Sequence, residues 1–185
     1  GDLSILDKPM IALVGSRDIA APNRAFAAQA GREAARQGYV LVSGNARGAD
    51  REAQDACLAC GGRVISVVAD ELCKHPIRKN VLYLSEDGYN EPFSAQRAIS
   101  RNRVIHSLGS CAFVAQCGYQ TGGTWDGTVK NLRFGWSNVY CFADGSPAGC
   151  LLAEMGAQTI EIEQLNDFAS LPKPVAGLFE QENNT

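Results

Sequence analysis

The groups in this chain best suited to chemistry are glycine, hydroxyl and arginine residues gathered in short turns, and the chemistry they suit is anion binding. Gly15-Ser16-Arg17 and Ser43-Gly44-Asn45-Ala46-Arg47-Gly48-Ala49-Asp50 each close an apolar run and precede a helical pattern, and Gly122-Gly123-Thr124, at the end of a glycine- and threonine-rich loop, leads into another helix further along. A turn at such a junction aims backbone N–H groups and the positive end of a helix dipole at one point, while glycine lets an anion approach the backbone closely. Arginine adds a planar fork matched to phosphate oxygens. A fourth stretch supplies Arg97 and Arg101, four residues apart on one helix face, and Arg103 on another. Between them Asn102 shares a stripe with Ala98 and Ile105. A buried amide there needs a partner, and a glycine-loop backbone is a natural one. Singly, each element reads equally well as an ordinary tight turn or a solvated charged face. Their convergence describes a phosphate-binding rim.

Other chemistries find less footing. The first turn lacks the dinucleotide fingerprint, with Arg17 where such a turn uses glycine, so neither NAD nor FAD nor any other cofactor is expected. Cys57-Leu58-Ala59-Cys60, with Cys73 and His75 downstream, invites a zinc or redox reading. The pair falls at a helix C-terminus, where the dipole raises a thiol pKa, and the next strand carries Cys73 roughly 20 Å away at about 3.3 Å per residue. Both cysteines are expected buried beside Ala49, Ala53 and Ala56. No motif ties His75 or His106 to a nucleophile or metal. Asp50 heads a helix, as a dipole partner or a contact for Arg47. Trp125 and Trp136 could stack on a base, with core packing expected of Trp136. No catalytic set emerges, and a binding protein is expected rather than an enzyme.

The elements that must position these turns alternate. Residues 11–14 form a continuous apolar run ended by Gly15, as in a strand buried on both faces. Pro22 opens a helix in which Phe26, Ala30 and Ala34 recur at i+4 until Gly38. Strand 39–42, helix 49–60 and strand 64–68 follow, a βαβαβ pattern that calls for a parallel sheet with right-handed crossovers. Further strands are expected at 81–84, 111–115, 139–142 and 159–162, and helices at 94–108, 124–134 and 149–155. The fold class expected is α/β, an extended Rossmann-like, doubly wound, mostly parallel sheet in three layers. It forms one domain over residues 1–172, followed by a polar tail at 173–185.

Lys and Arg number 17 against 20 Asp and Glu, a net charge of −3, so polyanion binding must come from a local arginine cluster rather than a whole-molecule field. No apolar run has membrane-spanning length, the first residues lack the features of a secretion signal, and the seven cysteines are scattered through apolar segments. A cytoplasmic protein with reduced thiols is expected.

Val14-Gly15-Ser16-Arg17, Val42-Ser43-Gly44-Asn45-Ala46-Arg47-Gly48-Ala49-Asp50, Gly61-Gly62-Arg63, Leu84-Ser85-Glu86 and Arg101-Asn102-Arg103-Val104-Ile105 appear in the order found in the DNA-processing protein A (DprA/Smf) family. The resemblance covers about residues 10–142 and is to the stand-alone Rossmann-like domain, without the winged-helix domain that often follows. It implies single-stranded DNA binding through backbone phosphates, dimerisation and, in transformable bacteria, loading of a RecA recombinase. Carried over by motif, Ser16, Arg17, Ser43, Gly44, Arg47, Arg101 and Arg103 would hold the strand. The sequence departs from the family's Phe-Pro at Ala98-Ile99, and from its usual glutamate at Gln116. Gly122-Gly123-Thr124 is also similar to the nucleotide-binding turn of Lonely Guy phosphoribohydrolases, whose catalytic glutamate would fall at Gly127. A small-nucleotide sensor or a Lonely-Guy-like nucleotide phosphoribohydrolase is the alternative reading.

Overall fold

The structure is a computed structural model that describes residues 1–173; beyond Lys173 the expected polar tail lies outside the described residues. Seven strands, β1 Met10–Val14, β2 Val40–Ser43, β3 Arg63–Val67, β4 Val81–Leu84, β5 Cys111–Val114, β6 Asn138–Phe142 and β7 Gln158–Ile160, form one sheet in the order β4-β3-β2-β1-β5-β6-β7. Every strand pairing in it is parallel. The helices are α1 Ala21–Arg36, α2 Ala49–Ala59, α3 Ala95–Ser100, α4 Asn102–Leu108, α5 Gly122–Phe134 and α6 Pro147–Glu154.

The strands are apolar on both faces because both faces are covered, as expected of a parallel sheet. Along β1, Ile11 and Leu13 join a core with Phe26 and Ala30 of α1 and Ala53 of α2, whereas Ala12 and Val14 join a second core with Ile105 of α4 and Leu152 of α6. Those two cores are the interfaces of a three-layer α/β sandwich. Helices α1 and α2 cross so closely that a Cβ on Gly31 would lie 2.1 Å from the Ala53 carbonyl oxygen.

From β1 the chain winds outward through β2, β3 and β4, then returns to the other side of β1 for β5, β6 and β7. Strand order therefore reverses between β1 and β5. A crevice opens at such a reversal, outside the carboxyl ends of the two strands.

The structure corrects three expectations. The helix expected at 94–108 is divided at Arg101, whose side chain turns into the interior. Of the cysteine pair, Cys57 is buried, its thiol pushed up to about 12 by burial, but Cys60, which caps the C-terminus of α2, is exposed. Trp136 is not a core residue: its ring stacks on exposed Phe134, with centroids 5.7 Å apart and planes 17° from parallel. Among the described residues no helix is long and apolar enough to cross a membrane.

Candidate phosphate-binding cleft

Three of the sequence-predicted turns meet at the crevice. Gly15-Ser16-Arg17 leaves β1, and the Ser16 N–H donates to the Gln116 carbonyl just beyond β5 at 2.9 Å, which ties the first turn to the strand across the reversal. The Ala49 N–H donates to the Ser16 carbonyl at 3.2 Å, bringing the turn after β2 against the turn after β1. Glycine is required at both contacts. A Cβ on Gly15 would lie 2.4 Å from the Ala49 Cβ, and Gly48, at φ 87°, would place one 2.3 Å from the Ser16 carbonyl oxygen. Opposite them Gly122-Gly123-Thr124 opens α5, and Thr121 gives that helix no side-chain cap. Its first N–H groups are thus available to a ligand.

The resulting cleft has a volume of about 580 Å³ and is walled by Gly15, Ser16 and Arg17 on one side and Thr121, Gly122, Gly123 and Thr124 on the other. A smaller neighbour of about 280 Å³ adjoins it, lined by Gly44, Asn45 and Arg47 and sharing Arg17, Phe93 and Arg101 with the first. Asn45 holds a left-handed backbone conformation, φ 58°, that asparagine tolerates well. Ser43 is fully buried beneath this second turn and lines neither cavity.

The arginines divide by environment. Arg17 is exposed, lies at the edge of both cavities, and pairs with no carboxylate among the described residues. Arg47 is exposed as well, but donates to Asp18 Oδ1 at 2.8 Å rather than to Asp50. Arg101, expected on the surface, is buried to 7% exposure. Its Nη1 donates to the carbonyls of Gly44 and Val67, and Nη2 lies 4.0 Å from Asp50 Oδ2. Burial lowers the Arg101 pKa and raises that of Asp50, and each charge opposes the other's shift. Asp50 also accepts from the Ala46 N–H, so it anchors the second turn from within. The guanidinium is the floor of the cleft.

Arg97 and Arg103 do not reach either cavity. Arg97 fastens the loop before α3, donating to Asp87 Oδ2 at 2.5 Å and to the Glu91 and Pro92 carbonyls at 2.6 Å. Arg103 pairs with Glu86 at 2.6 Å on the outer side of α4. Asn102 meets the partner expected of it, donating from Nδ2 to the Gly123 carbonyl at 2.8 Å, and so ties α4 to the first turn of α5.

Two contributors lie outside the expected set. Phe93, 55% exposed, stands between the two cavities and lines both. Its position after Pro92 and before the helix cap Ser94 marks a chain entry rather than a core, which was the available clue. Gln116 fastens the whole first turn: its carbonyl accepts from Ser16, its Oε1 from the Ala20 N–H at 2.9 Å, and its Nε2 donates to the Asp18 carbonyl at 3.4 Å. A glutamate could not make that last bond.

The model of the DNA recombination-mediator protein A family matches residues 1–130. The chain belongs to that family. A curated relative, the DNA processing protein DprA of Streptococcus pneumoniae strain R6, is 28% identical over 173 residues, covering 86% of this chain and 61% of its own length. The DprA of Bacillus subtilis is 30% identical over 128 residues, 63% of this chain and 43% of its own. The chain thus spans about half the length of the curated relatives it matches. The X-ray structure of the pneumococcal protein superposes with a TM-score of 0.77 at 26% identity, over 92% of this chain and 64% of that one. A Helicobacter pylori DprA structure, described by its single-stranded DNA binding mode, superposes with a TM-score of 0.76 at 22% identity, over 90% of this chain and 82% of that one. The fold class is that of the family.

Proposed function

We propose that the cleft binds the phosphate backbone of single-stranded DNA in DNA processing and recombination, without hydrolysing it, and that residues 1–172 act as one domain. The observation that carries this is Arg17, exposed and, among the described residues, unpaired, set between a glycine turn and the uncapped start of α5. An unpaired arginine there has its full fork available to phosphate oxygens. Membership of the family and the ligand named for the Helicobacter pylori relative support the same ligand class. The binding set is Gly15, Ser16, Arg17, Gly44, Asn45, Arg47, Gly122, Gly123 and Thr124, with Ser43, Arg101 and Asn102 holding the loops from below. A cytoplasmic homodimer that works with a RecA-type recombinase completes the proposal.

A cavity of about 580 Å³ also has the volume of a small-molecule site, which keeps a mononucleotide as the second reading. A salt titration separates the two. A strand neutralised at several phosphates gives a steep fall of log affinity with log salt, a mononucleotide a shallow one. Loss of all oligonucleotide binding at low salt, with nucleotide monophosphate still bound, would select the mononucleotide.

A further inference from the structure

Ile99 forms a wall of the main cleft and also a wall of a separate hollow of about 320 Å³, on the other side of α3, bounded by Arg103, Lys130, Phe134 and Trp136. Phe134 ends α5 and is 62% exposed; the chain then reverses at Gly135, and Trp136 returns to stack on the Phe134 ring. The Arg133 guanidinium lies 5.8 Å from the centre of the same ring. Neither aromatic belongs to a core of the fold.

We propose that this hollow is a nucleobase-stacking platform, which takes the bases of a single strand that runs past Ile99 from the main cleft. The proposal rests on the single-stranded DNA reading above. Every base presents a π-face, so a stacked aromatic pair beside cations receives a strand without regard to sequence. Arg103 and Lys130 are paired with Glu86 and Asp126 respectively. Both cations are themselves well exposed, Arg103 at 64% and Lys130 at 51%, so a passing phosphate can recruit them from these pairs. Among the described residues Asp126 is the one carboxylate in the wall of the hollow itself. A second copy of the chain is the competing occupant. Two aromatics bury about 150–250 Å² each, well short of the roughly 800 Å² per partner of a stable interface.

The test uses two oligothymidylates, of about four and about sixteen nucleotides, spanning the site sizes of single binding folds. Trp136→Ala, and separately Phe134→Ala, should weaken the longer strand by about five-fold or more, the effect of removing one stacked base, and leave the shorter one unchanged. Arg17→Ala should weaken both. In a Trp125→Phe background, where Trp136 is the only indole, the longer strand should quench the fluorescence. Unchanged affinity of both aromatic variants for the longer strand overturns the platform whatever Arg17→Ala does. A change of oligomeric state in Phe134→Ala with DNA binding intact overturns it in favour of a second copy. If the aromatic variants lose the longer strand while Arg17→Ala loses neither, the platform stands and the cleft reading is the one that falls.

Discussion

The floor and the rim of the cleft hold one arginine each, built on opposite principles. Arg101 in the floor is withdrawn from water, bonded to two carbonyls and set beside a buried carboxylate. Arg17 on the rim is exposed and, among the described residues, unpaired. An arginine beside an anion-binding cleft is therefore not thereby an anion ligand. Its own partners decide whether its charge is consumed by the fold or offered to a ligand.

The largest effect expected is in the floor. Arg101→Ala strands Asp50 in the interior without its counter-charge, and should destabilise the protein by about 3–5 kcal/mol, read from the urea midpoint at constant m-value. A loss below about 1 kcal/mol would return Arg101 to the rim.

Behind the floor, on α4, burial lowers the His106 pKa to about 4, and Asn131 Nδ2 donates to its Nδ1 at 3.0 Å. The unfolded imidazole titrates near 6.5, so between those values the unfolded chain binds the extra proton. Stability should be undiminished by this group above pH ~6.5 and fall by up to about 3 kcal/mol as the pH drops towards 4. A His106→Gln variant whose stability follows the parent's pH profile through that window would refute the assignment.

Gly44 and Gly122 sharpen the contrast at the level of backbone. A Cβ on Gly44 would lie 2.3 Å from Arg101 Nη1, so Gly44→Ala should cost about 1–3 kcal/mol by displacing the guanidinium. At Gly122, φ 84°, a Cβ would meet no heavy atom within 4 Å, and Gly122→Ala should cost about 1 kcal/mol from backbone conformation alone. Equal melting temperatures for the two variants would mean that the floor yields as readily as the rim. The smallest stability change is expected for Arg17→Ala, no more than about 0.5 kcal/mol, accompanied by weaker single-stranded DNA binding and a salt slope reduced by about 1. That loss should be the same for strands of different sequence, because phosphate contacts carry no base information.

The turns were legible in the sequence because each obeys a local rule. Apolar runs ended by Gly15 and Ser43-Gly44, and the glycine turn that opens α5, had to lie at strand ends facing one way, and β4 was visible at 81–84 from its own apolar run. What escaped depends on distant partners. The burial of Arg101 needs Gly44, Val67 and Asp50, none of them near it in sequence, and its apolar spacing is that of an unbroken helix. Cys60 continues the i, i+3 spacing from Cys57 but sits one residue past the end of α2, where the periodic face no longer meets anything. Trp136 follows a glycine reversal that sends it back along the surface, a direction that periodicity does not encode.

The pairing of β1 with β5 joins Ala12 to Ala112, and the first turn hangs from that seam through Ser16 and Gln116, 100 residues apart. Closing a loop of that length carries an entropic penalty that must be met before any contact repays it. During synthesis β1 to β4 can emerge and pair in sequence order, but the crevice does not exist until β5 inserts beside β1. A ligand for the cleft consequently recognises only the finished sheet, and at a hundred times its dissociation constant it would hold that state by about 2.7 kcal/mol.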